Sequence, residues 1–174
     1  MDRSISNFEK VFAAGLMIIM LFMVTHDWIP LGGLNDLEGI RSQHTTSELV
    51  SATLFNFASI LIVFGLAMWF LGKAYPLWVR IWLVAHLGGI FAGAMAAWWI
   101  PYWFGADDNL VMRYDAMFGS THAFLPVMNG IVPNTIHVLF HLVLVIVWLQ
   151  SIYLAFAPGY GKKRLARSTA IKGT

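Results

Sequence analysis

The chain has 174 residues, of which 59% are hydrophobic and only 11% are charged, and its formal net charge is +2. Charged residues make up about a quarter of an average soluble domain, so this composition excludes an ordinary water-soluble protein. The absence of cysteine excludes a disulfide framework and a thiolate metal site.

Four long apolar segments follow one another along the chain, and each is close to the length of about 20 residues that crosses the hydrocarbon layer as a helix. The predicted spans are residues 8–28, 49–71, 81–104 and 135–156. No small-residue cleavage pattern follows the first span, so we expect an uncleaved anchor rather than a signal peptide. The sequence therefore predicts an all-α integral membrane bundle of four transmembrane helices, in a single domain covering residues 1–174.

The distribution of charge predicts how this bundle is oriented. Lys73 and Arg80 flank the connection between the second and third spans, and a basic tail occupies residues 158–174, whereas the two other connections are mainly acidic. By the positive-inside rule, both termini are cytoplasmic and both long connections lie outside, in a bacterial-type inner membrane or a plasma membrane. A basic cluster beside a span is typical of a topology signal or of contact with anionic lipid, so we expect membrane lipid as a partner and no nucleic acid.

Local signals predict where two of the spans begin. Thr45 is followed three residues later by Glu48, which is the spacing of a capping box, so the second helix is expected to start after Thr45. Asn134 follows Pro133 and is a suitable N-cap for the last helix.

The connection between the third and fourth spans is long for a compact protein, and such connections tend to carry function or further structure. Asp107 or Asp108 is expected to cap a short amphipathic helix that runs to Phe118 and lies on the outer surface of the membrane. The stretch 121–133 after it is too apolar to remain in water, so we expect it to fold over the outer end of the bundle.

The third span carries small residues at intervals of four: Ala85, Gly89, Gly93 and Ala97. Such a stripe lets a neighbouring helix approach closely, so we predict that it is the packing seam of the bundle. His86 lies in the same span, and we expect it to form a hydrogen bond between helices.

His137 and His141 are the strongest candidates for function in the sequence. They are four residues apart in a strongly apolar span, so both imidazoles lie on one helix face, and Asn134 precedes them on the same stripe. Titratable groups inside a bilayer usually face a partner, a cavity or a ligand. The predicted topology gathers further polar residues near the same outer layer: His26, Asp27, Asp115 and His122.

The first functional hypothesis is a metal site, with zinc favoured. His137 and His141 would supply two ligands, with His122 or else His26 as the third, because a catalytic zinc takes three protein ligands and keeps one position for water. Asp115 or Asp27 would be a ligand or orient one, and bound water would then attack an ester or amide. The catalytic candidates are thus His122, Asp115, His26 and Asp27.

The spacing His-x-x-x-His of His137 and His141 resembles the last-helix motif of the membrane zinc hydrolases of the alkaline ceramidase and adiponectin receptor type. The resemblance covers five residues and implies zinc-dependent hydrolysis of a lipid. Those proteins have seven helices and carry a serine four residues before their first histidine. In this chain, Phe22 and Phe118 occupy the corresponding positions before His26 and His122.

Other functions remain open on the same residues. A histidine paired with a carboxylate can move protons on an apolar substrate such as a sterol, quinone or isoprenoid without a metal. Haem is disfavoured, because His137 and His141 cannot ligate opposite faces of one iron and His86 differs from His141 in depth by roughly 10 Å. The alternatives to an enzyme are a non-catalytic accessory subunit and, less favoured, a transporter, since we find no inverted repeat. The leading expectation is a small membrane enzyme that acts on a lipophilic substrate from the outer face.

Overall fold

The structure is a computed structural model of the chain and describes residues 4–161. Most of the predicted basic tail, from residue 162 onward, lies outside the described residues. The regular elements within residues 4–161 are all helical, apart from two isolated backbone pairings. The long helices are α1 (Asn7–Thr25), α3 (Thr46–Trp69), α4 (Leu77–Ala94) and α7 (Thr135–Phe156), and the short ones are α2 (Glu38–Gln43), α5 (Ile100–Phe104), α6 (Asp108–Phe118) and α8 (Pro158–Gly161).

A π-helical turn, Met95–Trp99, joins α4 to α5, so the three pieces form one continuous span, Leu77–Phe104. With α1, α3 and α7, this gives four helices among the described residues that are long and apolar enough to cross a membrane. The predicted number of spans is therefore confirmed. The orientation of the bundle stays a prediction.

Three of the four helices differ in their boundaries from the predicted spans, and the second is Thr46–Trp69 instead of 49–71. The first helix ends at Thr25, because the backbone N–H groups of Trp28 and Ile29 both turn back to the carbonyl of Thr25. The third begins at Leu77, so that Arg80 lies in its first turn rather than before it. Arg80 is accommodated there because its guanidinium donates to the carbonyl of Ala155 near the end of α7.

The predicted helix caps are confirmed. The hydroxyl of Thr45 accepts from the backbone N–H of Glu48, and the Glu48 carboxylate accepts from the N–H of Thr45 at 2.7 Å. Asn134 Oδ1 accepts from the N–H of His137 at 3.0 Å, and Asp107 caps α6 through the N–H of Leu110.

Helix α7 lies at the centre of the bundle and packs against α1 and α4, while α3 packs mainly against α1. The core between them is formed by fully buried aliphatic and aromatic side chains, which include Phe12, Leu16, Ile60, Leu83, Leu87 and Leu144. Gly15 lies where α1 crosses α7, and a Cβ at this position would meet the side chain of Val147.

The predicted packing seam on the third span is wrong. Ala85, Gly89, Gly93 and Ala97 are all exposed, and a Cβ built on Gly89 or Gly93 meets no atom of the described part of the chain within 4 Å. Helix α7 instead packs on the adjacent face, where a Cβ on Gly88 would lie 3.0 Å from Trp148 Nε1. The large buried side chains of α4 lie on the same side as Gly88 and pack towards the bundle. The small residues at intervals of four therefore face away from it.

One end of the bundle carries both long connections, 26–45 and 105–134, and is called the loop end below. There α2 packs against α6 through a small core of Leu37, Ile40, Leu49 and Met117. The two connections are joined by a backbone hydrogen bond from His122 N–H to the Gly33 carbonyl, at 2.6 Å.

The stretch 121–133 folds over this end of the bundle, as predicted. The Tyr102 hydroxyl donates to the Pro126 carbonyl, and Asn129 Nδ2 donates to the Tyr102 carbonyl, so both bonds hold the stretch against α5. Asn129 and Gly130 have positive φ angles of 52° and 75°, as a tight turn closed by paired backbone bonds requires.

Candidate functional site

Three histidines lie in a row at the loop end, and we call His26, His137 and His141 the histidine row. The ring centroids of His26 and His137 are 6.0 Å apart, and those of His137 and His141 are 6.1 Å apart. His137 and His141 are neighbours because they are one turn apart on α7. His26 joins them because it caps the end of α1, which packs against α7.

The hydrogen bonds of His137 define its tautomer. Asn134 Oδ1 lies 2.7 Å from His137 Nδ1 and also accepts the backbone N–H of His137. A backbone N–H can only donate, so the amide atom that faces it must be the oxygen, and Nδ1 must carry a proton. The neutral ring therefore has its lone pair on Nε2, which forms no hydrogen bond within residues 4–161.

The hydrogen bond of His141 defines the other tautomer, with the proton on Nε2. Trp99 Nε1 donates to His141 Nδ1 at 3.2 Å. Because an indole N–H can only donate, Nδ1 of His141 is the acceptor and the neutral ring carries its proton on Nε2. With this bond in place, neutral His141 has no lone pair left for a metal.

His26 lies between a backbone carbonyl and a carboxylate. Its Nδ1 is 2.9 Å from the carbonyl of Phe22, which can only accept, so Nδ1 carries a proton. Its Nε2 is 3.2 Å from Asp27 Oδ1, and this contact is an ion pair when the ring is protonated. His26 and Asp27 thus form a histidine–carboxylate couple beside His137.

Aromatic rings enclose His137. Its ring centroid lies 4.6 Å from that of Trp98, 5.5 Å from Phe118 and 5.6 Å from Phe22. Trp98 belongs to the π-helical turn, and Phe118 is the last residue of α6. These contacts hold the imidazole in one orientation and keep bulk water away from most of its surface.

A cavity of about 340 Å³ opens at the loop end next to His137. Its polar lining comes from His26, Asp27, His44, Glu48 and His137. The rest of the lining is apolar and comes from α2, α3 and α6, including Leu49, Met117 and Phe118. The cavity therefore combines titratable groups with a surface that suits an apolar molecule.

Sequence reasoning missed His44, which lines this cavity at the end of α2. A signal was present, because His44 directly precedes the capping box of Thr45 and Glu48, and Glu48 lines the same cavity. Because His44 lies directly before a helix start, the sequence alone does not distinguish it from an ordinary loop residue.

The structure does not bring His122 and Asp115 to the histidine row. His122 is exposed, and its Nδ1 lies 2.8 Å from the hydroxyl of Thr135. Asp115 is also exposed, because α6 turns Met117 and Phe118 towards the bundle instead. Of the residues predicted for the site, His26, Asp27, His137 and His141 are brought together.

The donor set of the row does not fit the predicted zinc centre. Within residues 4–161, no group of three or more histidine or acidic side chains is arranged to hold a metal ion. The hydrogen bonds agree, since neutral His141 has no free lone pair and Nε2 of His26 faces Asp27. Metal binding stays a prediction, and it requires a rearrangement of these bonds.

His86 has the structural role that its position predicts. Its Nε2 lies 2.7 Å from the hydroxyl of Ser59, so the pair links α4 to α3 inside the bundle.

The fold and the site define a helical protein of the membrane-spanning class with a histidine row at one end. No protein family, no curated protein and no solved structure matches the chain.

Proposed function

We propose that this protein is a small membrane enzyme that performs acid–base chemistry on a lipophilic substrate at the outer face of the membrane. The observation that carries the proposal is His137, which is only 8% exposed and lines a cavity that opens at the loop end, and whose Nε2 has no hydrogen-bond partner within residues 4–161. A general base needs a free lone pair of this kind, within reach of the proton that it removes.

The surrounding bonds support this role for His137. The Nδ1–H bond to Asn134 keeps the lone pair on Nε2 before the reaction and stabilises the imidazolium after it. His26 and Asp27, on the wall of the same cavity, can pass the proton on to water. Positioned acid–base groups contribute about 10²–10⁴-fold to a rate, which is the scale expected for His137.

The lining of the cavity indicates the class of substrate. Leu49, Met117 and Phe118 provide an apolar wall, and Asp27 and Glu48 place negative charge on the polar side. Like charges repel, so a neutral or cationic polar group fits this cavity better than an anionic headgroup. The substrate is accordingly a neutral or cationic amphiphile that enters with its polar end towards the loop end.

The test compares lipid extracts of membranes that contain wild-type protein, His137→Gln or His122→Gln. His122 is the matched control, because it is a histidine of the same end that lies outside the row. We expect at least one lipophilic species to be converted by the wild type and by His122→Gln, but not by His137→Gln. Identical extracts from all three folded proteins would refute the enzyme.

Metal analysis of the same three proteins tests the metal-assisted form of this proposal. Stoichiometric metal in the wild type and in His122→Gln, but not in His137→Gln, would show that the row rearranges to bind it. The control is informative here as well, since His122 was the predicted third ligand.

The second candidate is a non-catalytic accessory subunit, and the exposed stripe of Ala85, Gly89, Gly93 and Ala97 favours it. Small residues on a membrane helix allow close contact with another helix, and no helix within residues 4–161 reaches Gly89 or Gly93. Under this alternative, Gly93→Leu lowers the native mass of the complex extracted in mild detergent, whereas His137→Gln leaves it unchanged.

A further inference from the structure

A second recess of about 310 Å³ lies between the span Leu77–Phe104 and α7, and we call it the lipid-side groove. Its lining includes Phe91, Trp99, Trp103, His141, Leu142 and Val145. It shares no lining residue with the cavity beside His137. The two recesses are nevertheless neighbours, because the rings of His137 and His141 are 6.1 Å apart.

The lipid-side groove lies within the membrane-spanning part of the bundle and opens sideways. All of its lining residues belong to two of the four candidate spans. Trp103 is 47% exposed and Leu142 is 57% exposed on its two sides, where a membrane protein faces lipid. Trp103 precedes the end of its span by one residue, so the groove reaches the level at which interfacial tryptophans lie.

The π-helical turn shapes this groove. Successive residues of an α-helix do not face the same neighbour, yet Trp98 contacts His137 and Trp99 contacts His141. The wider turn Met95–Trp99 makes this arrangement possible, and such turns occur frequently at functional sites. One indole therefore packs on the ring of His137, and the next forms a wall of the groove.

His141 determines what kind of polar group the groove accepts. The residue is only 4% exposed, and its Nδ1 already accepts the indole N–H of Trp99. The proton on Nε2 has no acceptor within residues 4–161, and Nε2 is not one of the fully enclosed unpartnered atoms there, so this donor is open to the groove that His141 lines. A ligand in the groove that offers an acceptor oxygen at His141 can therefore take up this hydrogen bond.

The walls of the groove determine the shape of the ligand. The rings of Trp99 and Trp103 lie 5.2 Å apart at an angle of 38°, and both line the groove. Flat indole faces pack best against a flat unsaturated ring. Leu142 and Val145 continue the lining along α7 towards the membrane centre, where an apolar tail fits.

We propose that the lipid-side groove binds the ring of a quinone-type lipid, with His141 Nε2–H donating to a ring carbonyl. The tail of the lipid then lies along Leu142 and Val145. The further step of assigning this lipid as a substrate or product rests on the proposed function. The binding step itself does not require turnover.

The test measures binding of decylubiquinone by calorimetry to protein in phosphatidylcholine nanodiscs, with empty nanodiscs as the reference. His141→Phe keeps a ring but removes the donor, and we expect it to weaken binding about tenfold, the equivalent of one hydrogen bond. Decylbenzene, which has a ring and a tail but no carbonyl, should bind both proteins equally.

Leu142→Trp provides a second perturbation that does not touch the interior of the fold. The larger side chain fills the groove and should abolish saturable binding. Leu149→Trp is its matched control, because Leu149 is two turns further along the exposed side of α7 and does not line the groove. It should bind decylubiquinone as the wild type does.

Wild-type binding no stronger than that of empty nanodiscs, or equal binding by His141→Phe and the wild type, would overturn the inference. Loss of decylubiquinone binding together with intact His137-dependent lipid conversion refutes the groove alone. Saturable binding without any such conversion refutes the proposed enzyme and leaves a lipid-binding membrane protein.

Discussion

Replacing Gly88 or its neighbour Gly89 by leucine tests which face of the third span packs against α7. The structure places Gly88 at this contact, whereas the sequence spacing predicts the small-residue stripe that contains Gly89. A Cβ on Gly88 lies 3.0 Å from Trp148 Nε1 and 3.4 Å from its Cε2, so the indole has to move. The same atom on Gly89 meets no atom of residues 4–161 within 4 Å. The two positions are adjacent in the chain and belong to the same helix, so propensity and hydrophobicity change equally.

The cost at Gly88 follows from what Trp148 loses. Its indole donates to the Val84 carbonyl at 3.1 Å, and its ring stacks on Phe91 with centroids 5.1 Å apart. A polar contact between membrane helices contributes about 0.6 kcal/mol on average and up to about 1.7. Overpacking a well-packed site costs about 1–3 kcal/mol. Gly88→Leu should therefore lower the free energy of unfolding by about 2–4 kcal/mol, and Gly89→Leu by less than about 0.5 kcal/mol.

Reversible unfolding in mixed micelles, with denaturing detergent as the titrant and far-UV circular dichroism as the signal, measures both variants against the wild type. A larger loss of stability for Gly89→Leu than for Gly88→Leu would contradict the observed packing. It would show that the small-residue stripe is covered by another helix, as its sequence spacing predicts.

Two further predictions concern the loop end. The Tyr114 hydroxyl donates to the Ala97 carbonyl, and burial raises the pKa of Tyr114 above its usual range. Because the fold favours the neutral phenol, this bond stabilises the protein fully below about pH 10, the pKa of tyrosine in the unfolded chain, and the stabilisation is lost as pH rises through the folded pKa. Tyr114→Phe should therefore remove part of the fall in the unfolding midpoint at alkaline pH. Parallel pH profiles for the variant and the wild type would contradict this. For the orientation, Asp107→Cys should react with an impermeant thiol reagent from outside and Lys73→Cys should not, and the reverse pattern would move the proposed site to the cytoplasm.

The parts of the fold that depend only on residues close together in the sequence were predictable. The capping box of Thr45 and Glu48 and the cap of Asn134 need only a few residues of context, and both are confirmed. The pairing of His137 and His141 also follows from helix geometry alone. The packing seam failed because small residues show where a helix can be approached, not which face is turned to a partner.

The sequence left open whether His122 or His26 is the third member of the histidine row, because the answer depends on contacts between distant parts of the chain. His26 and His122 both lie near the loop end and are both preceded by phenylalanine four residues earlier. Helix α1 packs against α7, which brings His26 to His137. His122 is held by Thr135 and by Gly33, so the connection that contains it passes outside the row.

The chemistry of the site depends on the tautomers of His137 and His141, which are fixed by one contact at the start of α7 and one contact from another helix. Asn134 Oδ1 caps α7 and, as the same atom, accepts the Nδ1 proton of His137. Trp99 approaches from another helix and donates to the Nδ1 of His141. Two histidines one turn apart therefore hold opposite tautomers, so that His137 offers a lone pair to one recess and His141 a proton to the other. A metal shared by the pair needs a lone pair from each ring, whereas proton exchange and hydrogen bonding to a lipid use the two rings as they stand.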